Sequence, residues 1–334
     1  MADPTYRGSL VDVPGLEIGQ YTLPERLSGC SVVLARSGAV AAVDVRGAAP
    51  GTRETDLLDA SNLVEKVHAI ALCGGSAFGL DAASGVMRWL DERGIGFATP
   101  HGAVPIVPAA VLFDLSMVRP GDDARARPDA QAGYLACEAA SVSPPVSGNV
   151  GAGAGATVGK LFGPERAMKG GMGHASVRVG PWVVAAMVAC NAVGDVTDPV
   201  SGRILAGART KDGLQRLDSQ HAILAGQTLS PPVPGTHTTI GVVATNAHLS
   251  KAQARRLAMS GHDGLARSIR PVHTPYDGDT LFAMATGTEP QAADVLLLSV
   301  MAAEATALAT VDAIVSATSV QSLTGRLPAA RDLA

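Results

Sequence analysis

Residues 231–245 read Pro-Pro-Val-Pro-Gly-Thr-His-Thr-Thr-Ile-Gly-Val-Val-Ala-Thr. Proline this dense is incompatible with helix or central strand, so Pro231 to Gly235 is expected as an exposed connector. Thr238 to Thr245, which follows, is dense in β-branched residues and is predicted as a strand. A threonine hydroxyl therefore opens a strand directly after an exposed stretch, the placement an N-terminal nucleophile requires. If the peptide bond before Thr238 breaks, the freed α-amine has a pKa near ~7.7–8 and can act as general base for its own hydroxyl. In the intact chain the same hydroxyl can attack the His237 carbonyl, forming an ester that water hydrolyses. The simpler alternative is an ordinary β-branched strand start. Thr239, one residue on, is a second candidate hydroxyl.

Working outward, Ala175 to Val179 and Trp182 to Asn191 are predicted as an antiparallel pair turning at Gly180-Pro181. Residues 147–160 form a glycine and alanine stretch ending at Lys160, in which backbone must approach a neighbour closely. Nearer the N-terminus, Cys30 to Ala35 and Ala39 to Arg46 are expected as strands and Leu57 to Val67 as a helix. The strand His68 to Cys73 runs through a glycine turn, residues 74–79, into a helix from Leu80 to Arg93. Pro105 to Leu115 reads as extended and Pro128 to Ala140 as a helix. Beyond the central strand come a helix from Lys251 to Ile269, a strand from Thr280 to Thr286 and a long apolar segment, Ala292 to Val320. Asp294, Glu304 and Asp312 inside that segment favour a buried helix over a membrane span.

The chain has 334 residues with 26 Lys+Arg against 30 Asp+Glu, a formal net charge of −4. No basic stripe marks a nucleic-acid partner. Hydrophobic residues make up 47% but aromatic ones only 3%, so the core is expected as closely packed layers of small side chains. Cys30, Cys73, Cys137 and Cys190 show no C-x-x-C spacing and read as reduced, buried thiols. With no secretory h-region between Met1 and Asp12, a cytoplasmic protein is expected.

Three motifs fail on inspection. A phosphate loop ending at Lys160 would need glycine at Ala154 and a hydroxyl at Leu161. A nucleophile elbow around Ser76 would need glycine at Phe78. A calcium loop opening at Asp277 would place Leu281 and Phe282 where a ligand and a turn glycine belong. No metal or cofactor is expected.

Four separated motifs, in order, carry a resemblance: Gly74-Gly-Ser-Ala-Phe-Gly-Leu80, the glycine stretch ending at Lys160, His237-Thr-Thr-Ile-Gly-Val-Val-Ala-Thr-Asn246, and His273-Thr-Pro-Tyr-Asp-Gly-Asp-Thr-Leu-Phe282. Together they resemble the self-processing hydrolases that include D-aminopeptidases, β-peptidyl aminopeptidases and nylon-oligomer (6-aminohexanoate oligomer) hydrolases. The resemblance implies an α/β fold, a four-layer α/β/β/α sandwich of the D-aminopeptidase and ornithine acetyltransferase type. It implies a single domain, 1–334, cut into an α chain 1–237 and a β chain 238–334 that stay together. It also implies small peptide or amide substrates and a homo-oligomer, a tetramer of processed pairs.

Carried over by position, Thr238 matches the nucleophile and Asn191 an asparagine near it, whose amide would stabilise an oxyanion. Lys160 matches the lysine closing the glycine stretch, where its charge would keep the Thr238 amine neutral; without the resemblance it reads as a surface lysine. Asp277 and Asp279 match an aspartate pair that would orient the Thr238 amine or hydroxyl. Two positions depart from the pattern. His237 stands where relatives often carry Asn or Gly, and Phe113 stands where they often have a tyrosine able to donate a hydrogen bond. The implied activity is an amidohydrolase acting through an acyl-enzyme on Thr238. The alternatives are an acyltransferase of the ornithine acetyltransferase type and an unprocessed, non-enzymatic homologue.

Overall fold

Runs of β-branched residues and alanine pair into a continuous nine-stranded sheet among the described residues. The structure, a computed structural model, describes residues 8–230 and 235–333, so the connector expected over Pro231 to Gly235 lies, apart from Gly235, outside them. The strands are β1 (Glu17–Thr22), β2 (Gly29–Val45), β3 (Gly51–Arg53), β4 (Lys66–Cys73), β5 (Ala109–Val111), β6 (Gly171–Val179), β7 (Trp182–Asn191), β8 (Thr238–Thr245) and β9 (Thr280–Ala285). The helices that flank them are α1 (Ala82–Asp91), α2 (Ala130–Glu138), α3 (Lys251–Ser268) and α4 (Val295–Val315). Sheet order is β6-β7-β8-β9-β2-β4-β5-β3, with β1 on the free side of β2.

The long strand β2 turns this sheet into two layers. Its first half pairs with β1 and β4, its register shifts between Leu34 and Ala39, and its second half pairs with β9. Bulged strands bend, and here the two halves of the sheet close on one core. Val33, Ile70 and Leu72 from one half meet Met187, Ile240, Val242 and Phe282 from the other. On the outer faces, α1 and α2 cover Val32, Leu34 and Ala71 with Val86, Trp89 and Cys137. Opposite them, α3 and α4 cover Val188, Val243 and Leu281 with Leu257, Leu265, Ala309 and Ile314. The result is the expected four-layer α/β/β/α sandwich.

Scarcity of aromatic residues follows from how closely these layers sit. A β-carbon at Gly173 in β6 would lie 2.0 Å from the Ala309 carbonyl oxygen of α4; only glycine admits that approach. Helix α4 is long and apolar enough to cross a membrane by length and composition, and 56% of its most apolar window is buried inside the fold. All four cysteines are free and buried, as expected.

One predicted element is wrong. Residues 57–67 do not form a helix: a single 3-10 turn spans Asp56–Leu58, and the chain enters β4 at Lys66. Short polar side chains break the helix. Asp59 accepts from both the amide and the hydroxyl of Ser61, and the Asn62 amide donates to the Asp56 carbonyl, an alternative to helical backbone pairing that such residues favour. Helix α1 likewise begins at Ala82, after a 3-10 turn over Ser76–Asp81, and not at Leu80.

Candidate active site

Three pieces of chain converge where β8 begins. The β7–β8 ladder puts Asn191 directly opposite Thr238. The turn before β9 forms a bridge between Asp277 and His237. Alongside runs the glycine and alanine stretch, whose Gly159 and Lys160 amides donate to the carbonyls of Gly194 and Val193 at 3.0 and 2.9 Å. The five residues singled out from the sequence, Thr238, Asn191, Lys160, Asp277 and Asp279, are thereby brought together.

Lys160 is not a surface lysine. Its Nζ donates to the backbone and side-chain oxygens of Asn191 at 2.9 and 3.0 Å, and lies 3.5 Å from the Thr236 carbonyl. Burial lowers its pKa to about 7, against the opposing pull of Asp277. Asn191 is fully buried and fixed at both ends of its amide. Oδ1 also accepts from the Thr157 amide at 2.9 Å, and Nδ2 donates to the Phe113 carbonyl at 3.1 Å. Position 113 thus holds Asn191 through its backbone oxygen and not through its side chain.

Thr238 is 2% exposed, and its hydroxyl donates to the carbonyl of His237, the residue before it. The same carbonyl accepts from the Gly278 amide at 2.9 Å. Among the described residues, then, Asn191 Nδ2 gives one of its two N–H donors to the Phe113 carbonyl, and a backbone N–H holds the His237 oxygen. Gly278 leaves room for this geometry: a β-carbon there would lie 2.8 Å from Thr238 Oγ1 and 2.5 Å from the Ala49 carbonyl oxygen.

The two aspartates play different parts. Asp279 accepts from the Thr239 amide at 2.7 Å through Oδ1, and from His273 Nδ1 at 2.8 Å through Oδ2. Asp277 accepts from the amide and hydroxyl of Thr274 at 2.8 and 2.7 Å through Oδ2, while its buried Oδ1 has no partner among the described residues. Burial, with Asp279 nearby, raises the Asp277 carboxyl to about 6. His237 is buried beside Lys160, and its pKa falls to about 3, so its ring is neutral at pH 7. Sequence reasoning missed Gly278, Thr157 and His273. All three lie inside the four motifs, Thr157 in the glycine stretch and the other two in the His273–Phe282 segment.

The buried amines bear on stability. Lys169, whose Nζ donates to Ala156 and Gly170 carbonyls at 2.7 and 2.9 Å, is also lowered by burial to about 7. Between pH 7 and the ordinary lysine range the unfolded chain therefore binds more protons than the folded one, and stability rises with pH. Asp195, raised by burial to about 7, acts with the opposite sign but below that window. Buried Cys190, pushed up to about 12, opposes the trend only above the ordinary thiol range. Thermal melts should show Tm increasing between pH 7 and about 8.5. A Tm that does not rise across that interval would mean that both lysines stay charged in the folded protein.

This architecture is shared with solved structures. A β-aminopeptidase of a Burkholderia species superposes with a TM-score of 0.70 at 22% identity, over 96% of this chain and 90% of that one. The L-aminopeptidase D-Ala-esterase/amidase of Ochrobactrum anthropi, described as a new variant among the Ntn hydrolase fold, matches at 0.70 and 18%, with the same coverage. The fold is that of the Ntn hydrolases. Residues 8–327 match peptidase family S58, and the chain belongs to that family. An uncharacterized aminopeptidase of Mycobacterium leprae is 46% identical over 84% of this chain and 78% of its own length. The 6-aminohexanoate-oligomer endohydrolase of a Kocuria species is 33% identical over 82% of this chain and 74% of its own. This protein is accordingly a hydrolase acting on amide bonds.

Proposed function

We propose that the chain cuts itself between His237 and Thr238 and then hydrolyses short peptides or linear amides through an acyl-enzyme on Thr238. The observation that carries this is the Thr238 hydroxyl resting on the carbonyl of its own preceding residue, while the Gly278 amide holds that oxygen. In self-cleavage Oγ1 attacks the His237 carbonyl carbon and the Gly278 N–H stabilises the oxyanion. No α-amine is yet free, so a neutral fraction of Lys160 takes the hydroxyl proton. The C–N bond breaks, the departing nitrogen is protonated, and water hydrolyses the ester. A His237 carboxylate and a free Thr238 α-amine result.

In turnover the substrate carbonyl takes the place vacated by His237, so the same backbone donor serves it. The Thr238 α-amine now acts as base, with a pKa near ~7.7–8. Asp277 Oδ1, buried and without a partner among the described residues, supplies an acceptor for that amine. Substrates are short peptides or linear amides, a class supported by the names of the Kocuria and mycobacterial relatives.

Rapid quenching of the purified enzyme with a 6-aminohexanoate oligomer or an aminoacyl anilide tests the covalent route. An acyl adduct on the peptide that starts at Thr238 is expected, and added hydroxylamine should divert part of it to hydroxamate. Hydrolysis that proceeds with neither adduct nor hydroxamate overturns the route. Transfer to amines with no hydrolysis would make the protein an acyltransferase instead.

A further inference from the structure

Behind Asp279 stands a histidine that the reaction as described does not use. His273 donates to Asp279 Oδ2 twice, from Nδ1 at 2.8 Å and from its own backbone amide at 3.2 Å. Because a carboxylate only accepts, Nδ1 carries the proton. The other carboxylate oxygen holds the Thr239 amide at 2.7 Å, one residue past the reactive hydroxyl. Asp279 itself is 1% exposed, so no solvent competes for it.

The backbone at His273 is left-handed, with φ of +54°. A residue with a β-carbon is strained in such a conformation and holds it only where its surroundings over-determine it. Here they do. The His273 ring meets the buried His262 ring edge-on, with centroids 4.8 Å apart. His262 is anchored through Nε2 to the Asp44 carbonyl at 2.9 Å, with the Asp44 carboxylate 3.5 Å away. Arg46, ion-paired to Asp44 at 2.8 Å, donates its backbone amide to the Asp279 carbonyl at 3.0 Å. The groups facing His273 are thus Asp279 in front and His262 behind, with Asp44 and Arg46 closing the ring around Asp279.

We propose that His273 is a positioning residue for the nucleophile: by clamping Asp279 it fixes the 238–239 peptide and so aims the Thr238 hydroxyl at the carbonyl under attack. The inference rests on Thr238 being the nucleophile. Its consequence lies in kcat, since nothing in the clamp touches substrate, and a misplacement of about 1 Å costs on the order of 10²-fold in rate.

Two substitutions separate the clamp from the backbone. His273→Gly accepts the left-handed conformation and removes the donor; His273→Asn tolerates that conformation and places an amide donor near the position of Nδ1. With the full chain, His273→Gly should lower kcat by about 10- to 100-fold at unchanged KM and slow self-cleavage in step. His273→Asn should stay within a few-fold of the natural protein. If His273→Gly keeps natural kcat, or if His273→Asn is as slow as His273→Gly, the clamp is wrong. Thr238→Ala, assayed in parallel, keeps the two claims apart. A dead Thr238→Ala beside a fully active His273→Gly sinks only the clamp, whereas an active Thr238→Ala sinks the nucleophile and the clamp together.

Discussion

Thr238→Ala is expected to leave one uncut 334-residue chain and to lower amide hydrolysis by about five to six orders of magnitude, the scale on which removal of a covalent nucleophile acts. Both losses come from one atom. The Thr238 hydroxyl donates to the His237 carbonyl, and no neighbouring group replaces it. Thr239 begins one step further along the strand, where strand geometry turns its side chain to the opposite face. Stability should barely change, because the substitution removes a hydroxyl and a methyl from a position at the edge of the core. A thermal melt and intact mass measured on the same preparation would separate failure to cut from failure to fold. Retained hydrolysis would require another nucleophile.

Lys160→Met should slow self-cleavage by about 10²- to 10⁴-fold, the usual contribution of a positioned general base, while leaving the protein as stable or more so at pH 7. Methionine matches the length of the buried side chain and removes an amine whose desolvation the fold must otherwise offset. Asn191 Oδ1 keeps the Thr157 amide as partner at 2.9 Å. The natural protein should show a cleavage rate that climbs with pH until Lys160, lowered by burial to about 7, has lost its proton, and then levels. In Lys160→Met that inflection should disappear. Cleavage at the natural rate, or an unchanged inflection, would place the base elsewhere.

Much of this arrangement was legible from residue types. β-Branched density located β8, and the resemblance implied the four layers. The four motifs led to the five site residues and to the family that the comparisons support. What escaped was settled by tertiary contact. Lys160 looks like any lysine after a turn until the glycine stretch carries it under the β7–β8 ladder. Gly278 acts through its backbone N–H, which no side-chain pattern reveals. The helix expected over Leu57 to Val67 failed because Asp59, Ser61 and Asn62 bond locally, a competition that apolar spacing does not register. Asn191 Nδ2 gives one of its two N–H donors to the Phe113 carbonyl, a partner that no spacing in the sequence reveals.

The central claim concerns one peptide bond, and intact mass spectrometry of freshly purified protein addresses it most directly. Two species are expected in place of the 33.7 kDa chain, of 237 and 97 residues, the shorter opening on Thr238 with a free amine. A single full-length species that persists for days while still hydrolysing amides, or a short chain that opens on Thr239, would contradict the account.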